Sequence, residues 1–133
     1  LNLKIKRRES FRPFAPAILK EKVSDWFDIN SEHDLDVPFM MKVYPIYPEK
    51  RELIPAVCHI DGSGRLQTVT DKDNGRYYRL IKKFYNKTGV PILLNTSFNE
   101  NEPIVFSIKE AFDCYLRTKM DYLVIENHII FRV

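Results

Sequence analysis

Apolar positions in this chain fall into short blocks, separated by prolines, glycines and small polar clusters. Leu3–Lys6 alternates like a strand and Ala15–Leu19 is a short apolar run. Pro13 and Pro16 each remove a backbone donor, which argues against a central place in a sheet for the segment that holds them. Lys20–Phe27 reads as a short helix, residues 28–38 as an acidic surface loop, Phe39–Tyr44 as a strand and Pro45–Glu52 as a turn. Ala56–Ile60 and Arg65–Val69 read as two strands around Asp61-Gly62-Ser63-Gly64, a strong turn signal. Asn74–Lys87 spaces Tyr77, Tyr78, Leu80, Ile81, Phe84 and Tyr85 as a helix does. Gly89 is its stop signal, and Val90–Leu94 follows as a buried strand. Glu102–Phe106 reads as a strand. Ser107-Ile108-Lys109-Glu110 has the spacing of a capping box that opens a helix to about Thr118, with Ala111, Phe112, Tyr115 and Leu116 on its apolar side. Tyr122–Ile125 and Ile129–Val133 close the chain as a hairpin. The alternation predicts an α/β fold, an open twisted mixed sheet flanked by helices.

Composition narrows the function classes. The chain has 133 residues and 44% hydrophobic side chains, which suits a folded domain rather than a disordered tail. With no repeat or low-complexity linker, residues 1–133 read as one domain. A start at Leu1, already inside a regular pattern, suggests a piece of a longer protein. Blocks such as Pro13–Leu19 fall far short of the roughly 18 apolar residues that a membrane span needs. Two cysteines allow at most one bridge, and the expectation is a reducing, cytoplasmic compartment.

Charge is uneven. Residues 1–20 hold Lys4, Lys6, Arg7, Arg8, Arg12 and Lys20 against Glu9 alone. That is either an anion-binding segment or a charged edge strand guarded against aggregation. Four glycines leave no dinucleotide fingerprint and no phosphate loop of the Walker type. His33, His59 and His128 have no metal-ligand spacing with Cys58 or Cys114, so no metal site is expected. On a strand, Cys58 and His59 would face opposite ways and could not pair for catalysis. Cys114 falls on the apolar side of its helix and reads as a core residue.

Three segments carry candidate chemistry. If Leu3–Arg8 is extended, Lys4, Lys6 and Arg8 share one face and could clamp a phosphate; the alternative is a solvated strand face. Leu93-Leu94-Asn95-Thr96-Ser97-Phe98-Asn99 places neutral polar groups just beyond an apolar strand, where open α/β sheets bind ligands. It could equally be a turn bonded to its own backbone. In His59-Ile60-Asp61-Gly62-Ser63-Gly64-Arg65-Leu66-Gln67 the glycines permit a tight turn, and Arg65 and Gln67 share a strand face; a hairpin with an Asp61–Arg65 ion pair is the alternative.

Taken in order, Lys6-x-Arg8-Glu9-x-Phe11-Arg12-Pro13-Phe14-Ala15-Pro16, His59-x-Asp61-Gly62 with Arg65 and Gln67, and Leu93–Asn99 with Glu102-Pro103-Ile104-Val105 resemble the C-terminal domain of O-carbamoyltransferases of the nodulation and antibiotic-biosynthesis type. Ser63 stands where that family usually has threonine, and Ile108 where it often has proline. The resemblance implies a YrdC/Sua5-like fold, whose anion-binding Lys-x-Arg and Ser-x-Asn pairs match Lys6-x-Arg8 and Ser97-x-Asn99. It implies binding of carbamoyl phosphate and of ATP with Mg²⁺, and formation of carbamoyl-adenylate. It also implies a partner, an N-terminal domain of actin-like ATPase fold in the same polypeptide, that passes the carbamoyl group to an acceptor hydroxyl.

On that basis Lys6, Arg8, Ser97 and Asn99 are the expected catalytic residues, and Arg12, His59, Arg65, Asn95 and Thr96 the expected substrate contacts. The cations would neutralise mutually repelling anions, and Ser97 and Asn99 would orient carbamoyl or phosphate oxygens. In the empty site the clustered cations should depress the lysine's pKa. Two alternatives share the fold: an RNA-binding module using the basic N-terminal segment, and an enzyme forming threonylcarbamoyl-adenylate. Steep salt dependence would mark the RNA binder.

Overall fold

The computed structural model describes residues 1–30 and 35–133, so His33 and the centre of the expected acidic loop lie outside the described residues. The chain forms two compact units. One is Pro13–Thr96; the other joins Leu1–Arg12 to Ser97–Val133.

The larger unit is an open four-stranded mixed sheet with helices. Its elements are β1 (Ala15–Leu19), a 3₁₀ helix (Lys20–Asp25), β2 (Lys42–Pro45), the one-turn α1 (Pro48–Arg51), β3 (Ser63–Val69), α2 (Asp71–Thr88) and β4 (Ile92–Asn95). Strand order is β2-β3-β1-β4, with β1 parallel to β3 and the other pairs antiparallel. All five residues of β1 are buried, so the proline-bearing run is central after all. The reason lies in the register. The Leu19 amide donates to Pro91 O on the β4 side, and by alternation the nitrogen of Pro16 faces β3. Pairing with β3 begins only at Ala17, so the missing donor costs no ladder bond.

The sheet has a core on each face. Ile18, Leu66 and Ile92 pack with Phe14, Val23, Trp26, Phe27 and Ile46 on one side. Ala17, Leu19 and Val69 pack with Ile81 of α2 on the other, where Tyr77, Tyr78 and Tyr85 lie half-buried. The Thr70 hydroxyl caps α2 by accepting from the Asp73 amide. The backbone leaves helical geometry at Asn74, φ −127°, where the sequence pattern places the helix start. Gly89, at φ 76°, ends the helix as expected.

Ala56–Ile60 is not a strand. Both edges of β3 are taken by β2 and β1, and the segment closes tight turns instead, Val57 N to Ile54 O and Gly62 N to His59 O. The expected Phe39–Tyr44 strand is displaced to Lys42–Pro45.

In the smaller unit α3 (Ile108–Arg117) starts at the predicted capping box. The Ser107 hydroxyl accepts from the Glu110 amide, and the Glu110 carboxylate accepts from the Ser107 amide. Ala111, Cys114 and Tyr115 are buried, whereas Phe112 and Leu116 of the expected apolar side are exposed. The hairpin pairs β5 (Tyr122–Ile125) with β6 (His128–Phe131) around Glu126, φ 51°. Two expected strands are absent. Leu3–Lys6 is part of a π-helical turn, Asn2–Lys6, with Ile5 and Lys6 amides donating to Leu1 O. Glu102–Phe106 is irregular: Pro103 lacks a donor, the Val105 amide turns back to Phe98 O, and the Glu110 carboxylate takes the Phe106 amide. Among the described residues no helix is long and apolar enough to cross a membrane.

Candidate functional site

The helical turn at the N-terminus changes the geometry of its cations. Lys4, Lys6 and Arg8 do not form a strand face; the Lys6 side chain turns inward and is 3% exposed. Its ammonium donates to Ser97 O at 2.7 Å, Asn99 O at 2.8 Å and Asn99 Oδ1 at 2.7 Å, with Ser97 Oγ at 3.3 Å. An ammonium has three protons, so the three short bonds occupy all of them. The Ser97 hydroxyl donates to Asn99 Oδ1 at 2.7 Å, and Asn99 Nδ2 donates to Glu102 O at 2.7 Å. Lys6, Ser97 and Asn99 are thus one cluster, with a lysine charge at the centre of a polar loop. Burial lowers the pKa of Lys6, and the neighbouring Arg8 charge adds to that. The direction is the one expected from cation crowding, but burial is the larger cause.

Arg8 is held by Asn2, which sequence reasoning missed. Arg8 Nε donates to Asn2 Oδ1 at 2.7 Å, while Asn2 Nδ2 donates to Arg12 O at 2.8 Å and Ser10 O at 3.1 Å. Asn2 is 8% exposed, so a single amide orders the segment that carries Arg8 and Arg12. The Arg12 guanidinium itself is exposed, 4.0 Å from Glu9.

A second missed group is Glu102. Hydrogen bonds from its own amide and those of Glu100 and Asn101, with the Cys114 thiol, bring its carboxyl down to about 2 against the opposing effect of burial. Arg117 reaches it at 2.7 Å, and Arg7 pairs with Glu100 at 3.0 Å while donating to Arg117 O. Burial, then the bond to Glu102, pushes the Cys114 thiol up, so this cysteine is a packed thiol and not an ionised one. The only sequence trace of Glu102 is its place beside Pro103 in the third motif.

In the larger unit, His59 Nδ1 lies 3.1 Å from Ser63 Oγ, whose proton goes to Asp61 Oδ1 at 2.6 Å. The Ser63 hydroxyl and then its amide hold Asp61 below the usual carboxylate range. With the Ser63 proton committed, His59 carries its own on Nδ1. Its Nε2 is buried without a partner among the described residues. Asn95 donates to Gln67 Oε1 at 2.7 Å across the sheet. Arg65 is exposed on β3, and Thr96 is half-buried after β4. An open cleft of about 460 Å³ in this unit is bounded by Trp26, Tyr47, Lys50 and Tyr85, and none of the sequence-predicted residues lines it.

The carbamoyltransferase C-terminus family model matches residues 1–132. The chain belongs to that family. Among its relatives are nodulation protein NolNO of Sinorhizobium fredii, 45% identical over 98% of this chain and 19% of its own length, and nodulation protein NolO of Bradyrhizobium diazoefficiens, 44% identical over 98% and 24%. Uncharacterized protein sll1178 of Synechocystis is 43% identical over 98% of this chain and 24% of its own length. This carbamoyltransferase C-terminal segment therefore spans a quarter or less of the relatives it matches. The matched region holds both the Lys6 cluster and the His59 turn.

Proposed function

We propose that this chain is the carbamoyl-adenylate-forming part of an O-carbamoyltransferase. The observation that carries the reading is the Lys6 ammonium bound to the Ser97-x-Asn99 loop, with the ordered Arg8 in the same unit and carbamoyltransferase membership along the whole segment. Carbamoyl phosphate and water give carbamate and phosphate. A carbamate oxygen then attacks the α-phosphorus of ATP, which enters with its Mg²⁺, and pyrophosphate leaves. Carbamoyl-adenylate passes to the rest of the polypeptide, which transfers the carbamoyl group to an acceptor hydroxyl.

Lys6 acts here chiefly by fixing the loop. Its charge neutralises anions only as far as they displace the loop oxygens that its three protons hold. Arg8 and Arg12 supply positive charge to the transferring phosphates, and Ser97 and Asn99 orient neutral oxygens. No covalent nucleophile is required, so catalysis is positioning and electrostatics.

The test is exchange of labelled pyrophosphate into ATP, with and without carbamoyl phosphate. Exchange that depends on carbamoyl phosphate, and falls at least tenfold in Ser97→Ala, supports the reading. Exchange absent from this chain and from a full-length relative alike would overturn it.

A further inference from the structure

The smaller unit exposes more large apolar side chains than it buries. Its buried apolar side chains are Ala111, Cys114, Tyr115 and Leu123, while thirteen large ones are at least 40% exposed. Part of that surplus is organised. In the β5–β6 register Tyr122 faces Phe131 and Val124 faces Ile129, so these four side chains share one sheet face. They are 67%, 60%, 65% and 64% exposed, and the Tyr122 and Phe131 rings stand 6.4 Å apart. The opposite face carries Leu123, which is buried.

Four adjoining side chains exposed to this degree make an apolar patch of a few hundred Å², the size at which such a surface on a soluble protein is usually a binding surface. A free dimer typically buries roughly 800 Å² on each partner, so this face is small for a second copy. It is enough for a partner in the same polypeptide, where the tether raises the effective concentration to about millimolar. The relatives supply such a partner, because three-quarters or more of their length lies outside the region this chain matches.

We infer that the Tyr122/Val124/Ile129/Phe131 face docks onto the remainder of the longer polypeptide. The inference rests on the reading that this chain is one part of such a polypeptide, and not on the adenylate chemistry. An apolar, shape-matched surface is what the face would recognise, since it presents no charged side chain of its own.

Hydroxyl-radical footprinting tests it. The 133-residue chain is compared with full-length S. fredii NolNO carrying this chain in place of its matching segment. Native NolNO and its excised segment form a parallel pair, which decides if the chimera does not fold. Oxidation of Tyr122 and Phe131 at least fivefold slower in the long polypeptide, and restored by Val124→Asp with Ile129→Asp, supports docking. Equal oxidation in short and long chains overturns it. Protection of the short chain that grows with concentration, with a dimer in sedimentation, overturns it in favour of a second copy. Because the readout is protection, it is independent of pyrophosphate exchange, and either reading can fail alone.

Discussion

Replacing Lys6 by methionine removes the ammonium but keeps most of the stem, leaving Ser97 O, Asn99 O and Asn99 Oδ1 without their donor. Hydrogen bonds to a charged group contribute about 1.5–3 kcal/mol each. Two effects reduce that total. The burial and Arg8 repulsion that lower the lysine's pKa are relieved by the substitution, and Ser97, being exposed, lets water replace part of what is lost. The net cost to the loop is about 3 kcal/mol. At 1.4 kcal/mol per factor of ten, that is a roughly 100-fold rise in the loop's opening constant. Native-state hydrogen exchange reads this directly at the Glu100, Asn101 and Val105 amides, which bond to Glu102 and Phe98. Lys4→Met, on the exposed side of the same turn, is the control and should leave these amides unchanged. If exchange in Lys6→Met stays within threefold of the parent, the ammonium does not hold the loop and its assigned role is wrong. Lys6→Ala would not leave the local structure intact, so a loss of activity in that variant combines loop opening with the missing charge.

Two further outcomes follow. Glu102 titrates at about 2 when folded against an ordinary 4.5, so its contribution is present above about pH 4.5 and lost as pH falls towards 2. Urea midpoints measured across that window should fall less steeply for Glu102→Gln than for the parent, and an unchanged slope would contradict the assignment. Gly89 sits at φ 76° with nothing within 4 Å of where a Cβ would stand, so Gly89→Ala should cost about 1 kcal/mol through backbone conformation alone. Fluorescence of the buried Trp26 during urea unfolding reports it, and no shift in midpoint would refute the argument.

What the sequence disclosed was mostly local. The Gly89 stop, the Ser107 capping box and the closing hairpin depend on neighbours in the chain, and each stands where the pattern puts it. Leu3–Lys6, Ala56–Ile60 and Glu102–Phe106 depend on distant partners. Alternation cannot show that β3 has no free edge, or that the Glu110 carboxylate takes the Phe106 amide a strand would use. Pro16 shows the reverse error, since a proline is tolerated in a central strand when its nitrogen faces the side where pairing has not begun. At the site, Lys6, Ser97 and Asn99 were nameable from spacing and resemblance, yet the inward turn of the lysine was not. No motif marked Asn2, which holds Arg8 and Arg12, or Arg117, which reaches Glu102; Glu102 stood in the third motif with nothing there to show its bonds.

The central claim is that this segment itself holds carbamoyl phosphate and ATP. Calorimetric titration of the folded chain with each, separately and then together, tests it most directly, with Ser97→Ala alongside. The account predicts binding of both ligands, with carbamoyl phosphate weakened at least tenfold in the variant. A folded chain that takes up neither ligand, alone or in the presence of the other, would contradict it.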